Sequence, residues 1–356
     1  MKSYRFLIYL IVFPLLMILL YFGGMIGYAW ITDYRPEPQE EVMLYGSGSA
    51  DAVADTLTVL SWNIGYAGLG AESDFFYDGG KTVRMPQPVV EKNLNGIESK
   101  LKEFRDSVDV MFIQEVDREA KRSWGVDQFA RIKDILPGFS GACATNYLVK
   151  YIPIPFGEPM GKVNAGLSTF SRFTPTQSTR YSFEGNYDWP TYLFFLDRCF
   201  LVQRVPTANG KELVLINTHN SAYDDGSLKK AQMEQMKAVL LAEYAKGNYV
   251  IVGGDWNQYP AGFTGVPGFE IEQTEENARF FVPLIYPDAG WVWAWDPASP
   301  TNRELKAAFN EKTTPRVVID YFLLSPNVEL LEVKTSNENF KYSDHNPVKM
   351  RVALKE

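Results

Sequence analysis

The chain has few histidines, few cysteines and little positive charge. Its 356 residues include two histidines and two cysteines, and its 35 basic residues are outnumbered by 43 acidic ones. Cys143 and Cys199 lie far apart and match no metal-ligand spacing, so nothing indicates a metal site built from thiolates. Two buried thiols are the simpler expectation, and a single disulfide stays the alternative if the domain is exported. The net charge of −8 argues against a general polyanion-binding surface.

The chain also lacks internal repeats, and its low complexity is confined to one short tract near residue 46. Its composition is 46% hydrophobic and 22% charged, which is enough apolar material for a core of substantial size. Roughly 300 residues remain once the N-terminus is set aside, and that length fits one large α/β domain or two ordinary ones.

The N-terminus contains the one long hydrophobic run. Lys2 and Arg5 precede an apolar stretch from Phe6 to Ile31, which is long enough to cross a bilayer. Positive charge before the stretch and Asp33 after it place the N-terminus inside and the remaining domain outside the cytoplasmic membrane. The bulky Tyr28-Ala29-Trp30 sequence offers no good cleavage site, so a retained signal anchor over residues 1–31 is favoured over a cleaved signal peptide.

Residues 32–56 are predicted to form a flexible tether. They are acidic, they contain Pro36 and Pro38, and they include the Gly46-Ser47-Gly48-Ser49 tract. Such a segment is too polar and too often interrupted by glycine and proline to pack well. The globular domain is therefore expected to span residues 57–356.

Within the globular part, apolar runs alternate with amphipathic segments, as in α/β proteins. Residues 65–87 form a polar, aromatic and Gly-rich segment that is too long for an ordinary connection, and this indicates a lid or a wall of a site. Three helices are predicted: one beginning near Pro88, Phe129–Leu136 and Ser227–Lys246. The predicted strands are Leu57–Ile64, Val108–Val116, Ala165–Phe173, Phe194–Val205, Leu213–Asn217, Tyr249–Gly253, Val317–Leu324, Leu330–Lys334 and Val348–Leu354.

Both histidines follow or precede strands at points where apolar sequence turns abruptly polar. His219 ends the run from Val214, and His345 follows Asp344 just before the last predicted strand. A third run, from Tyr249, ends in two glycines followed by Asp255, Trp256 and Asn257. Strand ends hold a side chain rigidly while the adjoining loop exposes it. We therefore expect these strand ends to meet at one site.

Six short motifs occur in a characteristic order along the chain. They are Trp62-Asn63, Gln114-Glu115, Asn217-Thr218-His219, Gly254-Asp255-Trp256-Asn257, Ile319-Asp320-Tyr321 and Ser343-Asp344-His345. Together they resemble the motif series of the endonuclease/exonuclease/phosphatase superfamily. The resemblance covers residues 57–354, nearly all of the globular part, and six motifs in order are far more specific than any one of them. It implies a four-layered α/β sandwich, with two facing mixed β-sheets flanked by helices and the catalytic loops at one edge.

The resemblance also implies a divalent metal ion, Mg²⁺ or alternatively Mn²⁺. Hard cations of this kind prefer carboxylate and other oxygen ligands. Glu115 is the best candidate ligand, and by similarity Asn63 and Asp344 help to hold the same ion. Taken alone, however, a glutamate after an apolar strand is as often a solvated strand end.

The remaining motif residues have implied catalytic roles. Asp255 would orient or deprotonate water and Asn257 would donate to the phosphate, although a polar turn after two glycines is also common. Asp320 would fix the tautomer of His345, as in any histidine–carboxylate couple. His219 would contact the phosphate or assist the leaving group.

Three further residues are predicted to bind substrate. Asn220 could add a polar contact, Asn164 lies where relatives often contact phosphate but could equally be a turn residue, and Arg172 is a possible counter-charge. Lys81, Arg84 and Lys162 are weaker candidates of the same kind, since charged loop residues are usually only solvated.

The sequence thus predicts a membrane-anchored, metal-dependent phosphohydrolase with its catalytic domain outside the cytoplasm. A phosphodiester is the favoured substrate, carried by nucleic acid, phospholipid or a small molecule, and no protein partner is expected for what should be a monomer. A phosphomonoesterase acting on a phosphoinositide or sugar phosphate, a catalytically silent binding module and a purely structural domain remain alternatives. The segment from Trp291 to Trp295 could stack bases or sugars or face lipid, but a hydrophobic wall is the simpler interpretation.

Overall fold

The computed structural model describes residues 2–48 and 53–355, and it begins with one long apolar helix. Residues 49–52, part of the predicted tether, lie outside the described residues. The first helix includes the stretch Ile8–Ile31, whose mean hydropathy is 2.3 and which is long and apolar enough to cross a membrane. The α-helices are α1 (Lys2–Ile31), α2 (Gln87–Arg105), α3 (Gln128–Ile135) and α4 (Ser227–Ala245).

The two longer helices of the globular part form where the apolar spacing predicts them. In α2, Val90, Leu94, Ile97 and Leu101 recur at steps of three and four and are all buried, while Pro88 occupies the first turn. Helix α4 ends at Ala245, and Gly247 follows with a φ of +80°, a conformation that glycine adopts readily. Both predicted helices are therefore confirmed to within a residue or so at their ends.

Eighteen strands account for most of the remaining regular structure of the described residues. They are β1 (Gln39–Glu41), β2 (Leu44–Tyr45), β3 (Thr56–Asn63), β4 (Val110–Asp117), β5 (Ser140–Ile152), β6 (Gly161–Ser171), β7 (Gln177–Ser182), β8 (Cys199–Pro206), β9 (Glu212–His219), β10 (Tyr249–Asp255), β11 (Gly265–Val266), β12 (Phe269–Glu270), β13 (Val292–Ala294), β14 (Asn302–Arg303), β15 (Arg316–Val317), β16 (Asp320–Leu324), β17 (Val328–Thr335) and β18 (Val348–Leu354).

Two mixed sheets of seven strands form the centre of the domain. One has the order β1-β7-β8-β9-β10-β16-β13, and the other has the order β17-β18-β3-β4-β6-β5-β2. Each contains a single parallel pair, β9 with β10 and β3 with β4, among antiparallel neighbours. Parallel neighbours end at the same edge of a sheet, so each sheet delivers two adjacent strand ends to one place.

The sheets face each other across a shared apolar layer, and helices cover their outer faces. Val59 and Phe112 of one sheet pack in the same cluster as Leu215, Ile251 and Phe322 of the other. Helix α4 packs on the first sheet, and α2 and α3 pack on the second. This arrangement of helix, sheet, sheet and helix confirms the predicted four-layered sandwich.

Three parts of the secondary-structure prediction need correction. The prediction contained neither β5 nor β7. Residues 39–41 and 44–45, within the predicted tether, pair with the edge strands β7 and β5, because a backbone can complete a sheet edge whatever its side chains are. The strand predicted from Phe194 instead begins at Cys199, after a short 3-10 helix at Thr191–Phe194. Cys143 and Cys199 are both free thiols.

The tryptophans predicted as a possible binding surface belong to the core. Trp293 stacks on Tyr286 with ring centroids 5.7 Å apart, and it meets the buried Trp256 edge-on at 5.0 Å. Trp291 is buried as well. The segment from Trp291 to Trp295 is therefore the hydrophobic wall that was the simpler interpretation.

Candidate active site

The ends of five strands meet at one edge of the sandwich. Asn63 ends β3, His219 ends β9 and Asp255 ends β10, while Asp320 begins β16 directly opposite Asp255 in the antiparallel register. The loop that leads into β18 adds Asp344 and His345. All of these side chains are buried. Residues spread over nearly three hundred positions of sequence are thereby gathered in one place.

Glu115 is aimed into this site by an irregularity in β4. The pairing of β4 with β6 shifts register between Ile113 and Val116, and Glu115 has a φ of +54°. A bulge of this kind re-aims one side chain, and a left-handed conformation is costly for a residue other than glycine. The Glu115 carboxylate therefore turns out of the strand toward Asn63.

Asn63 links two of the carboxylates. Its Nδ2 atom donates to Oε1 of Glu115 at 3.2 Å and to Oδ2 of Asp255 at 3.0 Å. Its Oδ1 atom accepts the backbone N–H of Gly65 at 3.0 Å. In this arrangement Asn63 positions Glu115 and Asp255, and its Oδ1 atom keeps a second lone pair.

His345 forms a short ionic hydrogen bond with Asp320. The distance between Nδ1 of His345 and Oδ2 of Asp320 is 2.7 Å, and both residues are buried. Burial alone would lower the pKa of His345, but the carboxylates of Asp320, Asp344 and Asp255 raise it well above its usual value. The side chain of Asn302 lies 2.9 Å from the Nε2 atom. Because an amide can offer either a donor or an acceptor, Asn302 suits both charge states of the ring.

His219 has the opposite protonation preference. Its Nε2 atom lies 3.5 Å from Oδ2 of Asp255 and 4.0 Å from Oε1 of Glu115. Burial, with the nearby positive charge of Arg198, lowers its pKa well below the usual value. The site therefore contains one neutral and one protonated imidazole on either side of Asp255.

Two buried acidic groups of the site, Asp255 and Asp344, are harder to ionise than usual. Burial raises the pKa of Asp255 to about 6, and the neighbouring charge of Asp320 adds to the effect. Burial also raises the pKa of Asp344 to about 7, and there the charge of Glu115 adds to it. Carboxylates crowded in a buried site are stabilised by a cation.

Comparison of the sequence with protein-family profiles identifies the family of this chain. Residues 60–345 match the profile of the Endonuclease/Exonuclease/phosphatase family. The chain belongs to this family. A search of curated protein sequences finds no match to the chain.

Solved structures with the same fold are distant in sequence. An endonuclease/exonuclease/phosphatase from Beutenbergia cavernae is 20% identical, with a TM-score of 0.57 over 84% of this chain and 72% of the other. The 2',3'-cyclic phosphatase ANGEL2 in complex with adenosine-2',3'-vanadate is 15% identical, with a TM-score of 0.55 over 91% and 100% of the two chains. The human Nocturnin catalytic domain is 16% identical, with a TM-score of 0.53 over 88% and 98%. At these identities the likeness shows the family's fold alone.

The eight residues that carry the family resemblance are all found at this edge. Asn257 has a φ of +50°, and its Nδ2 atom donates to the carbonyl of Asn220 at 2.9 Å while its backbone N–H donates to Asp255. The eight residues line or directly adjoin one cavity of about 500 Å³. They are Asn63, Glu115, His219, Asp255, Asn257, Asp320, Asp344 and His345.

The three residues predicted to bind substrate do not line the cavity. Arg172 follows the far end of β6, where its guanidinium donates to the carbonyls of Val108 and Arg105 at the opposite edge of the sheet, so this prediction is wrong. The Asn220 side chain is buried and accepts from Thr218 at 2.7 Å. Asn164 precedes Ala165, which does line the cavity, whereas Asn164 itself does not.

Asn146, which the sequence did not indicate, lines the cavity, whereas Asn164 does not. It lies in β5, where the register with β6 shifts between Thr145 and Tyr147, and it is buried in the cavity wall. The bulge lets Asn146 point into the cavity from a strand whose alternation would otherwise be regular. No pattern in the sequence marks this position.

Arg198 is the most informative residue that the sequence did not indicate. Its guanidinium lines the cavity, and its Nη1 atom is buried without a hydrogen-bond partner among the described residues. Burial lowers its pKa, while the charges of Glu115 and Asp255 oppose that effect. A buried donor without a partner costs free energy unless a ligand satisfies it. Arg198 therefore has the chemistry of an anion-binding group.

The wall opposite the carboxylates is largely aromatic. Tyr77, Tyr187 and Phe195 form a connected cluster, with ring centroids 4.7 Å apart for Tyr187 and Phe195 and 6.0 Å for Tyr77 and Phe195. Tyr223 donates to Asp78 at 2.9 Å and joins the segment 65–87 to the loop after β9. The long segment noted in the sequence is a wall of the cavity.

Proposed function

We propose that the protein hydrolyses a phosphodiester, with attack by a water molecule on phosphorus. One observation carries the proposal. Asp255 lies within 4 Å of the Nε2 atoms of both histidines, and His345 is in turn bonded to Asp320. A buried base between two imidazoles, beside an unpaired guanidinium, suits proton transfer next to an anionic substrate. Family membership supports a phosphoester hydrolase in general.

A divalent ion fits beside Glu115 and Asp344. Enzymes of the family generally use divalent metals, and Mg²⁺ or Mn²⁺ would suit carboxylate oxygens. The raised pKa of Asp344, caused by burial and by the charge of Glu115, indicates a place that a cation would stabilise. Bound there, the ion would polarise the phosphate and neutralise charge. Asn63 would position Glu115, and the second lone pair of its Oδ1 atom would let it bind the same ion.

A second group could also hold a cation. Asp255, Asp320 and His345 offer ligand atoms within 4.8 Å of one another. The Nδ1 atom of His345 already bonds to Asp320, and that bond would compete with binding of an ion. We therefore favour Glu115 and Asp344 as the ligands and assign the other three residues to proton transfer.

Each residue of the site would have its own role in the reaction. Asp255 takes a proton from the attacking water, which its pKa of about 6 allows near neutral pH. The protonated ring of His345, held by Asp320, stabilises negative charge that develops on the phosphate. Neutral His219 and the amide of Asn257 contact phosphate oxygens or assist the leaving group, and Arg198 and Asn146 bind the substrate anion.

The N-terminal helix would tether this activity to a membrane. We propose that α1 is a retained single-pass anchor and that residues 57–356 form the catalytic domain outside the cytoplasm. The basic residues in the sequence before the apolar stretch and Asp33 after it support that orientation. A monomer without protein partners remains the expectation.

A test of the function uses the purified full-length chain in nanodiscs. Bis-p-nitrophenyl phosphate should be hydrolysed with Mg²⁺ or Mn²⁺ and not with EDTA, and Asp255→Asn should abolish the turnover. Faster hydrolysis of the monoester p-nitrophenyl phosphate would instead support a phosphomonoesterase. The wild-type protein can also prove to be folded, with a cooperative melting transition, and yet turn over neither compound with any divalent metal. In that case the silent binding module is correct.

A further inference from the structure

Helix α1 contacts the globular domain well before the helix ends. The ring of Phe22 meets the ring of Phe156 edge-on, with centroids 6.0 Å apart. Helix α1 also packs against the 3-10 helix Thr191–Phe194 and against β5. Ala29, near the end of α1, is buried by the domain. The domain therefore lies along the last turns of α1.

The position of Phe22 within α1 sets the depth of this contact. Phe22 precedes the end of the helix at Ile31 by nine residues, which is about 14 Å along the axis. The 24-residue apolar stretch is about 36 Å long, against about 30 Å for the hydrocarbon layer of a bilayer. Even if the whole excess of about 6 Å protrudes on the domain side, Phe22 stays inside the hydrocarbon layer. Phe156 would then reach the bilayer too.

Large aromatic side chains are exposed around that contact. Phe156 is 65% exposed, Trp189 is 61% exposed and Tyr151 is 38% exposed. Trp189 precedes the 3-10 helix that packs on α1, and Tyr151 is the next-to-last residue of β5, the strand that leads to Phe156. Tryptophan and tyrosine concentrate at the boundary between lipid and water. We call Tyr151, Phe156 and Trp189 the α1-side surface.

The loops that carry this surface also form the cavity wall. The turn that contains Phe156 is closed by a hydrogen bond from Met160 to the carbonyl of Ile154, and Met160 lines the cavity. The segment that contains Trp189 supplies Tyr187 on one side and Phe195, Leu196 and Arg198 on the other. Trp189 of the α1-side surface therefore lies in the same segment as the guanidinium of Arg198, nine positions before it in the sequence.

We propose that the α1-side surface inserts into the bilayer that α1 crosses, and that the cavity takes a phosphodiester headgroup carried by a membrane lipid. The substrate class rests on the proposed function, whereas the insertion does not. A lipid in that bilayer can present its phosphate to Arg198 along an aromatic wall while its chains stay in the hydrocarbon layer. The net charge of −8 disfavours the alternative of a long nucleic acid.

Insertion can be measured without any catalysis. The full-length protein is placed in nanodiscs of ordinary or brominated phosphatidylcholine, and the fluorescence of Trp189 is obtained by subtracting a Trp189→Phe variant. Bromine on the acyl chains should quench about half of this signal or more, as for a ring at the lipid–water boundary. Equal fluorescence in the two lipids would overturn the insertion.

The substrate class is tested in mixed vesicles of phosphatidylcholine, phosphatidylethanolamine, phosphatidylglycerol and sphingomyelin, with lipid loss followed by mass spectrometry. The double variant Phe156→Ser and Trp189→Ser should lower lipid hydrolysis about tenfold while changing turnover of bis-p-nitrophenyl phosphate less than about twofold. Leu284→Ser, in an exposed loop whose Tyr286 packs on α4, is the matched control and should change neither rate. If the wild type hydrolyses bis-p-nitrophenyl phosphate but no lipid, the substrate class is wrong. If it hydrolyses neither, the proposed function fails while the quenching result stands.

Discussion

Removing the charge of Asp320 should slow the reaction without unfolding the protein. The Asp320→Asn variant keeps an oxygen that can accept from Nδ1 of His345, so the 2.7 Å contact can persist with a neutral partner. The backbone of Asp320 stays anchored, since its N–H donates to the hydroxyl of Thr301 at 3.0 Å and it pairs with Asp255 in the sheet. The change therefore isolates the charge of one buried carboxylate.

The size of the effect follows from the strength of that contact. A hydrogen bond to a charged group contributes about 1.5–3 kcal/mol, and about 1.4 kcal/mol corresponds to a factor of ten in rate. If the imidazolium form of His345 stabilises the transition state, kcat should fall roughly ten- to a hundredfold. KM should change little, because Asp320 lies behind His345 and does not line the cavity.

The pH dependence gives a second and more specific readout. Among the charges that raise the pKa of His345, that of Asp320 is the largest, so the variant should bring this pKa down. A protonated group that is required for activity loses its proton as the pH rises. The alkaline limb of the kcat profile should therefore move to lower pH in Asp320→Asn.

The assay is hydrolysis of bis-p-nitrophenyl phosphate by the full-length chain in nanodiscs, with a melting curve for each variant. Asp109→Asn is the matched control, since the Asp109 carboxylate accepts the backbone N–H of Thr58 at 2.8 Å but lies at the opposite edge of the sheet. That control should keep the wild-type rate. An Asp320→Asn enzyme with normal kcat and an unmoved alkaline limb would refute the role given to the pair.

Three other changes test separate parts of the structure. Glu115→Gln should raise the Mg²⁺ concentration needed for half-maximal rate by about tenfold or more, and an unchanged titration would move the ligand elsewhere. Arg198→Met should raise KM for bis-p-nitrophenyl phosphate about tenfold or more with the melting temperature retained, because the buried guanidinium binds the anion. Burial opposes ionisation of Glu243, but hydrogen bonds from Arg204, Lys246 and Asn248 lower its pKa to about 2. Glu243→Gln should therefore cost about 1–3 kcal/mol of unfolding free energy near neutral pH, a loss that shrinks as the pH falls from about 4.5 toward 2. Urea unfolding at several pH values measures it.

Most of the individual helices and strands follow from local sequence, whereas the sandwich architecture and the roles of the site residues were implied by the family resemblance. Strand ends can be recognised where apolar runs stop, as before His219 and Asp255, and parallel neighbours necessarily end at the same edge of a sheet. Helix faces are visible as spacing, which is why α2 and α4 match their predictions. The family resemblance then assigned these ends to one edge, and the geometry agrees with that assignment.

What the sequence could not supply depends on irregular backbone. Arg198 lies between a 3-10 helix and β8, in a segment that was predicted to be strand from Phe194 onward. Asn146 faces the cavity only because a bulge in β5 changes the alternation of its side chains. Residues 39–41 join a sheet through backbone hydrogen bonds, which no side-chain pattern records. The prediction for Arg172 is wrong for a different reason. A charged residue after a strand does not show whether that strand ends at the site or at the opposite edge of the sheet.

The charge balance of the cavity connects the site to its expected ligands. Glu115, Asp255, Asp320 and Asp344 bring up to four negative charges together, while His345 and Arg198 supply the nearest positive ones. Burial raises the pKa values of Asp255 and Asp344, and the remaining repulsion between the carboxylates adds to that effect. A phosphodiester adds another negative charge, so it would bind weakly until a cation joins the carboxylates. The structure therefore predicts ordered binding, with the metal raising substrate affinity, and equilibrium binding of a non-hydrolysable phosphodiester with and without Mg²⁺ measures this coupling directly.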